Sequence, residues 1–142
     1  MTIIAQEGQF TRFGSLVKWM DAPEKPELHY EVVVANEAAG ATYTLGTVLG
    51  QVTATGKYAV AKQGAADGSQ TPVAVVLADA FGAVKDAVLV AGTDTKALVL
   101  ARGKVEVAKE ALKLDASFGT AAQIQAAMDA LKAKGILVVT SA

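Results

Sequence analysis

The segment from Leu45 to Ala80 constrains the fold more than any other part of the chain. It contains two apolar runs that resemble strands, Leu45 to Val52 and Val73 to Ala78. Between them lie Gly, Thr, Asp-Gly and Pro residues, which are typical of turns. No helical stretch separates the two runs. The segment therefore predicts a β-rich fold in which one strand follows another through tight connections.

Glycine residues and an Asp-Gly pair mark the predicted bends and turns of this segment. A glycine inside a β-prone run marks a bulge, a bend or a close backbone approach more often than a regular ladder position. Thr55-Gly56 predicts a turn into a strand from Lys57 to Ala61, and Asp67-Gly68-Ser69 predicts a second turn. The residues predicted to have such structural roles are Gly46, Gly50, Gly56, Asp67 and Gly68. The ribbon that they form should be sharply bent.

The rest of the chain adds more strands and one helix. Further strands are predicted at Tyr30 to Ala35, Val84 to Ala91, Lys96 to Leu100, Gly103 to Ala108 and Ile136 to Thr140. Thr120 can cap a helix with Gln123 three residues later, and Gly135 can end it, so a helix is predicted over about Ala121 to Lys134. With about seven strand candidates and one helix, the predicted fold class is mainly β (α+β).

Residues 1–27 differ in character from the remainder. Pro23 and Pro26 disfavour helix in the residues before them, and isolated aromatic residues precede the prolines without a sustained period. We predict an extended N-terminal arm over residues 1–27 and a β-rich body over residues 28–142. The arm's aromatics, Phe10, Phe13 and Trp19, either fold back as core or contact a partner. Strand addition to a partner's sheet edge is one such mode of contact.

Composition excludes several classes of function. The 142 residues carry 13 basic and 14 acidic side chains with no long block of either sign, which disfavours nucleic-acid binding. The chain has no cysteine, so disulfides and Cys-ligated zinc are impossible, and its one histidine, His29, cannot form a histidine metal cluster. No apolar run approaches the roughly 18 residues of a membrane span. The N-terminus lacks the pattern of a signal peptide. No metal, cofactor or small-molecule substrate is predicted.

Two lysines stand in patterns that resemble ligand sites. The run from Gly50 to Lys57 resembles a phosphate-binding loop, but five residues separate its glycines, Tyr58 replaces the Ser or Thr, and a strand follows. Lys96 lies between two β runs, where carrier domains present a modified lysine, although the tripeptides that the modifying enzymes recognise are absent. A β-rich carrier or small-ligand module with an exposed turn lysine, Lys96 or Lys57, is therefore the alternative function. No residue pair indicates catalysis.

The sequence resembles the head decoration proteins of tailed, lambdoid-type phages. The residues that carry this resemblance are Gly46-Thr-Val-Leu-Gly50, Thr53-Ala-Thr-Gly56-Lys-Tyr58, and Asp67-Gly68 leading into Val73 to Asp79. It spans roughly Tyr30 to Ala142, and none of its motifs is catalytic. The resemblance implies a bent β-ribbon, a β-clip-like incomplete barrel, in a non-enzymatic structural protein of the virion.

The same resemblance implies partners and a location. It implies a homotrimer at the three-fold and pseudo-three-fold sites of the expanded phage head, bound to the major capsid protein and resisting the pressure of packaged DNA. The protein would be made in the host cytoplasm and lie on the outer surface of the virion head. Phe10, Phe13 and Trp19 are the candidate capsid-binding residues. Small residues on or beside the helix, Ala121, Ala126, Ala127 and Ala130, suit a trimer contact.

Overall fold

A computed structural model describes residues 16–21, 25, 28–79 and 86–140 of the chain. These residues form ten strands and one α-helix. The strands are β1 (Val17–Met20), β2 (Tyr30–Ala35), β3 (Ala41–Tyr43), β4 (Val48–Gln51), β5 (Tyr58–Val60), β6 (Ala74–Asp79), β7 (Ala87–Leu89), β8 (Thr95–Leu100), β9 (Val105–Ala108) and β10 (Ile136–Val139). The helix, α1, spans Ala121–Lys132. The predicted mainly β fold with one C-terminal helix is confirmed.

Five strands close into a barrel in the order β2-β5-β4-β6-β8. β8 pairs antiparallel with both β6 and β2, and its pairing with β2 runs the full length of the two strands. Closure depends on a short parallel contact in which Ala35 pairs with Tyr58. The Asn36 amide extends that contact by donating to the Tyr58 carbonyl at 3.0 Å. The five strands therefore form a closed, barrel-like sheet.

Strand β6 and the last residues of β8 are buried on both faces. Val76 and Val99 point into the barrel, whereas Val75, Leu77 and Leu100 point outward into a second core. This explains why Val73 to Ala78 is a continuous apolar run, since a strand buried on both sides has no polar face.

The second core lies between the barrel and a three-stranded sheet with the order β1-β9-β10. β9 and β10 are parallel, and parallel neighbours need a crossover connection, here a 3-10 helix (Lys109–Ala111) followed by α1. The Thr120 hydroxyl accepts from the Gln123 amide, and the Gln123 side chain accepts from the Thr120 amide, which is the predicted capping box. Leu131 of α1 packs in the second core with Ile136 of β10.

The structure also departs from the expectations. β1 and β3 were not predicted, and β3 pairs with β7 as a two-stranded sheet beside the barrel. Ala127 is buried in a third small cluster with Phe118, so it is not available for the subunit contact expected of it. Ala121 and Ala126 are exposed on α1. No helix in the described part of the chain has the length and hydrophobicity to span a membrane.

Candidate interaction surface

A β-bulge in β1 turns Trp19 to the outside of the second sheet. Val17 pairs with Val107 and Trp19 pairs with Glu106, so two residues of β1, Lys18 and Trp19, oppose one residue of β9. Without the extra residue, strict alternation would place Trp19 on the same face as Val17, which packs on the core. Because of the bulge, Trp19 is 52 % exposed while the next residue, Met20, packs on the second core.

Register places three side chains in one row on the outer face of this sheet. Glu106 of β9 pairs with Trp19 on one side and with Leu137 of β10 on the other. Leu137 is 41 % exposed, so two large apolar side chains flank a half-buried carboxylate. The neighbouring register position, Met20, Val105 and Ile136, belongs to the second core. We call the outer row the Trp19–Leu137 row.

The Trp19–Leu137 row borders a shallow groove of about 250 Å³ that Lys104 and Lys132 also line. Both lysines are exposed, and neither forms an ion pair with a carboxylate of the described residues. The Lys104 carbonyl accepts from the Asp21 amide at 2.9 Å, which fixes the end of β1 against the start of β9. The groove thus has two apolar side chains on either side of Glu106 and two lysines at its rim, in a chain whose net charge is −1.

A second exposed apolar surface lies on β7. Val88 and Val90 are 65 % and 66 % exposed, whereas Ala87 and Leu89 pack into the barrel core. β7 is therefore a two-faced strand with an uncovered apolar outer face. Leu28, which precedes the barrel strand β2, and Val32, within it, are exposed as well.

A partly buried hydrogen-bonded pair holds the barrel to the β3–β7 sheet. The Glu37 carboxylate, directly after β2, accepts from the Tyr43 hydroxyl at 2.5 Å and from the Val60 amide at 2.7 Å. Tyr43 lies on β3 and is fully buried, and Val60 lies on β5. Burial, followed by the hydrogen bond and the negative charge of Glu37, raises the pKa of Tyr43 far above its ordinary value. One carboxylate therefore links β2, β3 and β5.

We predict that Glu37→Ala lowers the free energy of unfolding by about 1 to 3 kcal/mol, because it leaves the Tyr43 hydroxyl and the partly buried Val60 amide without their acceptor. Tyr43→Phe should cost less, since only one bond is lost. Urea unfolding of the wild type, the two single variants and the double variant measures their coupling. If the losses in free energy of unfolding of the two single variants simply add in the double variant, the Tyr43–Glu37 hydrogen bond makes no direct contribution to stability.

The two lysines of the carrier hypothesis do not occupy the position in which a carrier domain presents its modified lysine. The Lys57 ammonium lies 2.9 Å from Asp94, and the Asn36 side chain donates to the same carboxylate. The Asn36 hydrogen bond, with Lys57 second, holds the pKa of Asp94 below its ordinary range. Lys96 lies within β8, paired with Val34, and not in the turn before it. Neither lysine is presented at a hairpin tip.

The Asp67 turn lies against β4. The Asp67 carboxylate accepts from the Ser69 hydroxyl at 2.6 Å and from the Ser69 amide at 3.0 Å, and these bonds lower the pKa of Asp67. Gly68 has a φ of 102°, and a Cβ there would also overlap the Thr53 hydroxyl. A Cβ on Gly50 would overlap the Ser69 carbonyl group. Glycine at position 50 therefore allows the turn to cross β4 at backbone contact.

A model of a known protein family matches most of the chain. The family model of bacteriophage lambda head decoration protein D matches residues 25–136. The chain belongs to this family. No curated protein and no solved structure gives a significant match. Family membership identifies a phage head decoration protein, a structural protein associated with the capsid of the virion.

Of the three predicted capsid-binding residues of this head decoration protein, only Trp19 lies among the described residues. Phe10 and Phe13 lie outside the described residues. Trp19 lies in β1, so Val17–Met20 of the predicted arm pairs with β9 and is part of the body's sheet. Sequence reasoning missed Leu137 and the two lysines beside Trp19, because nothing in the local sequence shows that β10 lies two strands away from β1.

His29 of the decoration protein is a buried residue that links two strands. It is 5 % exposed, and its Nε2 hydrogen-bonds with the Asp21 carbonyl oxygen at 2.6 Å, so it connects the end of β1 with the start of β2. Its Nδ1 has no hydrogen-bond partner among the described residues. Within the described ranges, no group of three His, Cys, Asp or Glu side chains is placed to hold a metal ion.

Proposed function

We propose that this decoration protein binds as a homotrimer to the three-fold and pseudo-three-fold sites on the outer surface of the expanded head. There it connects neighbouring major capsid subunits and stabilises the capsid against the pressure of packaged DNA, without enzymatic activity. The observation that carries the proposal is the family match, which extends from before β2 to the start of β10 and so includes the whole barrel.

The distribution of apolar surface supports contacts on more than one side. Exposed large apolar side chains occur on the second sheet and on β7. Contiguous exposed apolar surface on a small domain is typical of protein contacts. A protein that meets both its own copies and the capsid needs at least two such surfaces.

We propose that β7 supplies the contact between subunits. Val88→Asp combined with Val90→Asp should shift the protein from trimer to monomer at micromolar concentration, because a charge in an apolar contact loses its hydration. Light scattering measures the mass. Because both side chains are more than half exposed, the monomer should keep the wild-type circular dichroism spectrum. A variant that remains trimeric would place the subunit contact elsewhere.

We further propose that the N-terminal arm contributes to capsid binding. Phe10 and Phe13 provide apolar anchors in an arm that enters the folded body through β1. A trimer presents three arms to one site. After the first arm binds, the others bind at high effective concentration, and avidity can exceed the affinity of one arm by ~100 to ~10,000 fold. Weak individual contacts are then sufficient.

The central experiment mixes the purified protein with undecorated, expanded heads assembled from the cognate major capsid protein. We expect co-sedimentation at three copies per three-fold site, a trimer mass in free solution, and heads that resist disruption better when decorated. A protein that is monomeric at micromolar concentration and does not sediment with heads would refute the proposal.

A further inference from the structure

We propose that the groove beside the Trp19–Leu137 row is a docking site for a segment of the major capsid protein that carries an apolar side chain flanked by carboxylates. This inference rests on the proposed function, since it names the chemistry of the capsid segment that the folded body contacts. It is separate from the proposed contacts of Phe10 and Phe13, because every residue of the groove belongs to the folded sheet, lies at its ends or ends α1.

The two large apolar side chains of the groove, Trp19 and Leu137, favour an apolar ligand group. Trp19 is about half exposed although its strand neighbours Val17 and Met20 pack on the core. The β1 bulge is what turns it outward, opposite Leu137 across the sheet. Partly buried aromatic and aliphatic side chains in a concave site are the usual anchors of a protein interface. An inserted apolar side chain would contact both apolar residues of the row, Trp19 and Leu137.

The rim of the groove selects the charge of the ligand. Lys104 and Lys132 line the groove without a carboxylate partner among the described residues. A ligand carboxylate near either ammonium gains a charge-assisted hydrogen bond. Glu106 at the centre of the row disfavours a carboxylate there, so the acidic groups belong on either side of the apolar anchor. This pattern fits a short acidic and apolar segment better than a basic one.

The position of the groove favours the capsid as its occupant. The arm reaches the body through β1, and β1 also carries Trp19, so an arm bound to the capsid holds this sheet close to the capsid surface. The apolar surface on β7 belongs to a different sheet and remains available for the contact between subunits.

The test measures the affinity of variants for undecorated, expanded heads by sedimentation. Trp19→Ala and Leu137→Ala should each weaken binding about tenfold or more, as expected for anchor residues. The double variant Lys104→Glu/Lys132→Glu should weaken it comparably, and wild-type binding should weaken as salt rises. Matched controls are Leu28→Ala, whose side chain is also 52 % exposed, and Lys96→Glu/Lys109→Glu on other surfaces. The controls should bind within about twofold of the wild type.

Two further measurements decide between occupants. Trp19 is the single tryptophan, so its oxidation by hydroxyl radicals can be followed by mass spectrometry, and heads should protect it. Light scattering and melting curves establish that each variant is a folded trimer.

Head binding equal to that of the controls would overturn the inference. Loss of the trimer in Trp19→Ala would also overturn it, by assigning the groove to a second copy of the chain. If the wild type itself does not bind heads, the proposed function fails and the inference fails with it.

Discussion

Replacing Gly50 with alanine should lower the free energy of unfolding by about 3 kcal/mol or more. The added Cβ would overlap the carbonyl group and the Cα of Ser69, which are backbone atoms that no side-chain rotation can move aside. Either β4 or the Asp67 turn must shift, and such a shift disturbs the hydrogen bond from the Thr53 amide to the Asp67 carbonyl. Urea unfolding followed by circular dichroism measures the loss.

Gly64→Ala is the matched control for this prediction. No heavy atom lies within 4 Å of a Cβ at Gly64, so the same chemical change should alter stability by less than about 0.5 kcal/mol. Equal stability of the Gly50→Ala and Gly64→Ala variants would show that the turn can move away from β4 at little cost.

Deleting residues 1–14 should reduce head binding about 100-fold or more while leaving the body folded. The large loss is expected because three arms act together at one site, so removing all of them removes the avidity as well as each contact. Among the described residues, the first to enter a core is Leu16, so this deletion preserves both Leu16 and β1. Sedimentation with undecorated heads measures binding, and the melting temperature reports the fold.

The extent of the deletion matters. Removing residues 1–20 would also remove the fully buried Leu16 and a strand of the second sheet, and a loss of binding could then result from a damaged body. Replacing only Phe10 and Phe13 with serine tests the same proposal without shortening the chain. Unchanged head binding by the deletion and the serine variant would move the capsid contact entirely onto the folded body.

Much of the fold could be predicted from the sequence because its signals are local. The Thr120 and Gln123 capping box sets the start of α1 by hydrogen bonds between residues three apart. The continuous apolar run at Val73 to Ala78 similarly identified β6 as a buried strand. Family membership could also be inferred, because the order of its glycine and strand motifs is a property of the chain.

The interaction surface could not be predicted in the same way. Trp19 is a candidate capsid-binding residue from the sequence, with a place in the core as the alternative, but its neighbours in the groove come from β9, β10 and the end of α1, more than 80 residues away in sequence. The bulge that turns Trp19 outward depends on its pairing with β9, and no residue of β1 alone specifies that register. The Glu37 contact with Tyr43 and Val60 likewise depends on three strands meeting at one end of the barrel.

The sequence by itself determined the mainly β class, the position of the helix, the strands with a clear apolar pattern and the family. These follow from short-range periodicity, capping and turn chemistry, which act within a few residues. Only the tertiary structure decided that the barrel closes, that Gly50 lies against Ser69 and that Trp19, Glu106 and Leu137 form one row. The physical reason is that strand register and backbone packing are set by residues distant in the chain, whose contacts form only when the cores assemble.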